Sequence, residues 1–307
     1  IMGRVSVGEA VAAGFKLIGR EPAAFAVWCV LYLVIYLAPS VATLPAMLDM
    51  WGQMSAGLEM NEAAILEASN RVAAFQPLGF LSLLAILAII PPAVFRAVLS
   101  PQDRGFFYLR VGMREFWVLI VTIVVAVIWV LAFLASMIPT FVIALAGGVL
   151  GGVAAGPQGG GMIMAVLFGI AGYVLAIGLT VWVGLRFSMA PVMSFAENTF
   201  RVPESWRLTK GHAWRLFLVA LALFAISTLA QLLLLGAGFA ALAAGTPNFL
   251  QAMQTDPRAV FQSVGLPVFI VAGILLSLAG VAFYVIGAAA WANIYRQLKP
   301  PLAETFG

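Results

Sequence analysis

The side chains able to do chemistry in this chain are few, and most are basic. There are 16 Lys and Arg against 12 Asp and Glu, with one His, His212, and one Cys, Cys29. A single His and a single Cys cannot make a zinc cluster, and one Cys excludes an intrachain disulfide. The cations that stand beside apolar segments are Lys16, Arg20, Arg96, Arg110, Arg186, Arg207, Lys210, His212 and Arg296. Such a group can reach a lipid phosphate while its stem stays in the apolar layer, so these are candidate headgroup contacts. The plainer reading of the same residues is that they only enforce topology. An enzymatic site would have to be assembled from loop residues such as Glu197, Glu204, Arg207 and His212. No catalytic, metal or cofactor-binding residue is assigned, no cofactor is expected, and neither is a nucleic-acid partner.

The elements that must position these residues are membrane spans. Of the 307 residues, 64% are hydrophobic and 9% charged, where a soluble domain carries about 25% charged residues. Uncharged runs cover 22–48, 72–95, 116–185, 216–255 and 259–295. About 20 apolar residues cross a bilayer, so the longest run holds two spans and each of the others one. Eight glycines, with Pro157 and Gln158, fall between Gly147 and Gly161; at that density a helix is expected to break. The expectation is an all-α polytopic membrane protein with six transmembrane helices, at about 22–46, 76–100, 116–146, 162–187, 215–244 and 265–296.

Lys and Arg alternate in density from one connection to the next. Fourteen of the sixteen fall at the termini or in the segments around 96–114, 186–215 and 296–299, leaving Arg71 and Arg258 on the other side. The positive-inside rule then puts both termini in the cytoplasm. The opposite side carries Asp49, Glu59, Glu62 and Glu67.

A unit of about one hundred residues recurs three times. A basic, aromatic segment centred on Gly19, Gly112 or Gly211 precedes each odd-numbered span. Each even-numbered span ends in Arg with Pro five residues on: Arg96 and Pro101, Arg186 and Pro191, Arg296 and Pro301. The chain reads as one membrane domain, 1–307, with pseudo-repeats at about 5–101, 102–191 and 192–301. Each repeat is an interfacial amphipathic helix followed by a transmembrane hairpin. In residues 8–20, Val11, Phe15 and Ile18 share a face from which Glu9, Lys16 and Arg20 point away, as a helix lying at the headgroups requires.

The span cores hold no charge, which argues against a carboxylate-coupled ion path. Gln231, Ser227 and Thr228 make one polar stripe, suited to interhelical hydrogen bonds or to lining a cavity. Gly273, Gly280 and Gly287 recur every seven residues, and Gly147/Gly151 and Gly148/Gly152 every four. These seams serve intramolecular packing or an interface with a second copy or another membrane protein. Pro91-Pro92 and Pro139 free backbone carbonyls and read as either hinges or static kinks. Trp51, Trp117, Trp182, Trp206, Trp214 and Trp291 fall near the expected interfaces.

One stretch has a recognisable pattern. Met189-Ala190-Pro191-Val192 and Phe195-Ala196-Glu197-Asn198 lead to Pro203-Glu204-Ser205-Trp206-Arg207-Leu208-Thr209-Lys210-Gly211-His212-Ala213-Trp214. This resembles the bacterial family named for the membrane domain of glycerophosphoryl diester phosphodiesterase, in which a Ser-Trp-x-Leu-Thr-x-Gly element follows a proline-containing span end. The resemblance is sharpest over about 185–220. It implies a fold, a bacterial inner-membrane location and a lipid neighbourhood rather than an activity. The catalytic part of fused members is a separate soluble barrel, which the short connections between these spans leave no room for. Two functions compete: a non-enzymatic protein that organises lipid or scaffolds a membrane partner, and a carrier or flippase for a lipid or other apolar substrate.

Overall fold

A computed structural model of the chain describes residues 5–55, 62–155, 160–245, 251 and 266–299. Among these the protein is all-helical. In chain order the elements are α1 (Val7–Arg20), α2 (Pro22–Ser55), α3 (Glu62–Leu99), α4 (Met113–Ala155), α5 (Gly160–Phe187), α6 (Ala190–Glu197), α7 (Val202–Leu208), α8 (Ala213–Gly245) and α9 (Leu266–Leu298). Five stretches are long and apolar enough to cross a bilayer, the first being Ser69–Leu99. A sixth is reached if α1 and α2, which meet at 95°, count as one broken span. Bulky apolar side chains face outward along α4 and α5, among them Ile138, Phe141, Val153, Met162 and Leu175. A surface of that kind is stable only against lipid or another apolar partner. The chain is a polytopic α-helical membrane protein.

The expected spans match α2, α3, α4, α5, α8 and α9, but most of the helices run past the bounds set by composition. The two spans do separate within the expected Gly147–Gly161 stretch, but later than expected: Gly147, Gly148, Gly151 and Gly152 continue α4, which ends at Ala155, and α5 starts at Gly160. Away from water each unpaired backbone group costs several kcal/mol, so the helical bonds outweigh glycine's roughly 1 kcal/mol entropic penalty. The glycines serve close packing of α4 on α5. A methyl group at Gly147 would lie 2.7 Å from Phe168 Cβ, and one at Gly161 would lie 2.9 Å from the Gly148 carbonyl oxygen. Thr140 Oγ1 donates across the same pair of helices to the Gly172 carbonyl at 3.0 Å. Pro91, Pro92 and Pro139 also sit inside uninterrupted helices. The run Ile90–Val98 around the first two is buried, the setting in which freed carbonyls are tolerated.

The chain divides into two compact units whose borders do not follow the pseudo-repeats. Unit 1 comprises Ile1–Val7, Gly112–Leu218 and Ile294–Gly307, and unit 2 comprises Gly8–Val111 and Val219–Asn293. In unit 1, Val121, Ala190 and Val202 form a buried centre where α4, α6 and α7 meet, with Val124, Val125, Ile128 and Phe187 around it.

In unit 2, α1 turns Ala10, Gly14 and Leu17 inward. A Cβ on Gly14 would overlap the Ile286 Cα, so only glycine allows this contact with α9. The apolar face expected at Val11, Phe15 and Ile18 lies next to this seam, and Phe15 is 49% exposed. An amphipathic helix therefore precedes the first hairpin. The second has none: the segment from Ser100 to Gly112 is a series of turns, with Phe107 and Tyr108 both at positive φ. Two consecutive left-handed L-residues cost roughly 1–2 kcal/mol each. Hydrogen bonds hold them there: the Trp28 indole donates to the Phe107 carbonyl at 3.0 Å, and the Tyr108 hydroxyl donates to Glu21 at 3.1 Å. Before the third hairpin stand two short helices, α6 and α7. Of the expected helix-like stretch Asn61–Phe75, residues 62–75 are part of α3 and Asn61 lies outside the described residues, as does Asn248–Gln254 apart from Gln251.

Candidate functional site

The strongest local chemistry lies in unit 1, between the end of α5 and the start of α8. The Ser-Trp-x-Leu-Thr-x-Gly element builds it. Pro191 and Pro203 fall in the first turns of α6 and α7, where a missing N–H costs nothing. Asn198 takes a left-handed conformation, φ 53°, and stops α6. Ser205 Oγ then donates to the Arg186 carbonyl at 2.9 Å, which is one of the carbonyls left open at the end of α5. Thr209 Oγ1 shares its proton between the Ser205 carbonyl at 2.9 Å and the Arg186 carbonyl at 3.3 Å. Both residues are fully buried. Gly211, at φ 87°, turns the chain into α8.

Trp206 completes this clamp. Its ring meets Trp182 edge-on at 5.0 Å, and the Arg186 guanidinium carbon lies 5.4 Å from the centroids of both indoles. Arg186 Nε and Nη1 are buried without a hydrogen-bond partner among the described residues. The cation is held between aromatic faces instead, as a weakly hydrated guanidinium permits.

Beside the clamp is an open cavity of about 500 Å³ lined by Met193, Glu197, Arg201, Glu204, Arg207, Leu208, His212, Leu298 and Lys299. Its acids are tied to its wall. Arg201 bridges them, with Nε 2.8 Å from Glu197 and Nη1 3.0 Å from Glu204. Lys299 Nζ donates to Glu197 from the end of α9, and the Tyr295 hydroxyl does so at 3.4 Å. Glu204 is held below the ordinary carboxylate range, first by its own backbone N–H and then by Arg201, with Arg207 adding to the effect. The Arg207 side chain is exposed and, among the described residues, has neither a hydrogen bond nor an ion pair. His212 is half-buried.

The nine cations expected at headgroups thus divide. Arg207 and His212 meet at one cavity, together with the acids Glu197 and Glu204 from the same loops. Lys16, Lys210 and Arg296 are exposed. Arg20 is half-exposed and donates to the Ala97 carbonyl at 2.9 Å, while Arg110 stands 3.4 Å from Asp103. Two of the nine are engaged within the protein. Arg96 is 3% exposed and donates to the Tyr108 carbonyl, so it secures the turns after α3. Arg186 is caged by tryptophans and has the same kind of internal role. Charge and position in the sequence cannot distinguish an arginine that snorkels from one that caps a neighbouring segment.

The glycine seams also divide. Gly147 makes the close approach described above and Gly151 is buried beside it. On α9, a methyl group at Gly280 would have one neighbour, the Tyr32 hydroxyl at 3.7 Å, and methyl groups at Gly273 and Gly287 would have none within 4 Å. Ser227 bonds back to the Phe224 carbonyl of its own helix, and Gln231 is exposed. Among the described residues no group of three or more His, Cys, Asp or Glu side chains could hold a metal ion. Arg201, Lys299, Met193 and Leu298 are cavity residues that sequence reasoning missed. The i, i+4 spacing of Glu197 and Arg201 is a signal for one of them, but nothing local announces that α9 returns to this place.

No family model matches the sequence, and no curated protein or solved structure matches it either.

Proposed function

We propose that this membrane protein is non-enzymatic and organises lipid, or a membrane partner held with lipid, at the basic ends of its spans. The observation that carries the reading is α1. It meets α2 at 95°, leaves Phe15 outward, and exposes Lys16 and Arg20. A helix so placed puts its aromatic side chain among acyl chains and its cations among phosphates. The exposed cation Arg296 extends the same chemistry. The charge asymmetry supports both termini in the cytoplasm, and the bacterial inner-membrane location rests on the family resemblance. Membership of the glycerophosphoryl diester phosphodiesterase membrane-domain family belongs to this proposal; in its favour, Ser205, Trp206, Thr209 and Gly211 each have a definite role in the clamp. The carrier reading has less support, because the prolines that would act as hinges lie in uninterrupted helices.

Native mass spectrometry of the protein extracted in its own lipid tests the proposal. Retention of one lipid class in fixed stoichiometry is expected. Retention of a second protein with no preferred lipid would make the chain a scaffold, and loss of every lipid from a folded protein would end the lipid reading.

A further inference from the structure

We propose that the cavity between α6, α7 and the end of α9 is a binding site for a phosphate ester, with the phosphate on Arg207 and His212. This rests on the lipid reading above and gives it a ligand class and a place. The wall carries three permanent cations, Arg201, Arg207 and Lys299, against two carboxylates, Glu197 and Glu204. Arg201 and Lys299 neutralise the carboxylates through the ion pairs already described. Arg207 is exposed, makes no ion pair or hydrogen bond among the described residues beyond its field on Glu204, and lines the same cavity as a half-buried imidazole. A guanidinium offers paired N–H donors matched to phosphate oxygens, and the imidazole can add another.

The remaining lining is apolar. Met193, Leu208 and Leu298 come from three different helices, and would lie along the glycerol or the first carbons of a chain attached to the phosphate. A volume of about 500 Å³ is in the range of small-molecule sites. The chemistry suits both a lipid headgroup, such as phosphatidic acid or phosphatidylglycerol, and a soluble ester such as glycerol 3-phosphate.

Lys210 supplies the control. It is an exposed cation three residues from Arg207 but does not line the cavity. If surface charge alone attracts phosphate, Arg207→Gln and Lys210→Gln act alike. If the cavity binds it, only the first matters. The full chain would be placed in phosphatidylcholine nanodiscs containing a minority of phosphatidic acid, and lipid retention read by native mass spectrometry. Glycerol 3-phosphate would be titrated calorimetrically against the same samples. Arg207→Gln is expected to weaken binding about tenfold, the equivalent of one charge-assisted hydrogen bond. His212→Gln is expected to weaken it less, and Lys210→Gln to stay within about twofold, since an exposed charge outside a site contributes little.

Arg207-dependent retention of phosphatidic acid with no calorimetric signal identifies a lipid headgroup site. Arg207-dependent binding of glycerol 3-phosphate identifies a soluble ester, and the lipid reading fails while the cavity stands. Equal effects of the two substitutions, or lipid retention unchanged in Arg207→Gln, overturn the cavity even where the lipid reading survives. The Arg207 side chain has no hydrogen bond or ion pair to lose among the described residues, only its field on Glu204, so its substitution is expected to leave the fold in place, which a thermal melt of each variant checks.

Discussion

At the residue scale, the clamp at the end of α5 depends on a few groups with no substitute. Thr209 is fully buried, and Thr209→Val keeps its shape while removing a hydroxyl within reach of three carbonyls. The expected loss is about 1 kcal/mol, read as a lower melting temperature in detergent. Arg186→Lys keeps the charge but exchanges a flat guanidinium, stacked on two indoles, for a compact and strongly hydrated ammonium. It is expected to lower the melting temperature as well, and an unchanged melt would show that charge rather than shape holds Arg186. Glu204 adds a pH dependence. Its carboxyl is depressed in the folded protein, so its stabilising contribution is complete above the ordinary carboxylate pKa and lost as pH falls through the depressed one. Melts of wild-type protein and Glu204→Gln should therefore converge at acid pH and differ near neutrality.

At the element scale, the two kinds of glycine seam make opposite predictions. Gly14→Ala places a carbon on the Ile286 backbone, which cannot move aside as a side-chain tip could. Overpacking of this kind costs about 1–3 kcal/mol, and the first helix should become more accessible to protease. Gly287→Ala meets nothing within 4 Å and should leave the melt unchanged or slightly raised through helix propensity; a large loss there would reveal a contact made by a second copy or another protein. These differences also bear on how far the sequence can be read. The spans are legible because a charge-free run of sufficient length has few alternatives. Their ends are less so, because composition marks the hydrocarbon layer while a helix continues until its carbonyls find other partners. Gly147–Gly152 reads as a break only when the penalty for glycine is weighed against water; the lipid-side cost of unpaired N–H groups is larger, and the helix persists. The segment before the second hairpin has the same basic and aromatic composition as α1, yet Pro101, Gly105 and the left-handed pair Phe107 and Tyr108 turn it into a cap.

At the scale of the whole molecule, half of the cavity is legible in the sequence and half is not. Glu197, Glu204, Arg207 and His212 lie within sixteen residues of one another, so a local reading can group them. Lys299 is 102 positions from its partner Glu197, and the two meet because both belong to unit 1. The same long-range closure makes topology the decisive property of the chain, since an odd number of crossings between these residues would put Lys299 and Glu197 on opposite sides of the bilayer. With α8 and α9 both crossing, they share a side, as the ion pair requires. The orientation can be measured with Cys29 replaced by Ala and single cysteines introduced at Lys210 or Arg71, both exposed. An impermeant maleimide should label Lys210→Cys only in inverted vesicles and Arg71→Cys only in right-side-out ones if, as the positive-inside rule expects, the basic connections stay in the cytoplasm. Labelling of both from one side would remove a crossing between them. Reversal of the two patterns would keep every helix in place but turn the phosphate cavity to the outer leaflet, with ligands drawn from outside the cell.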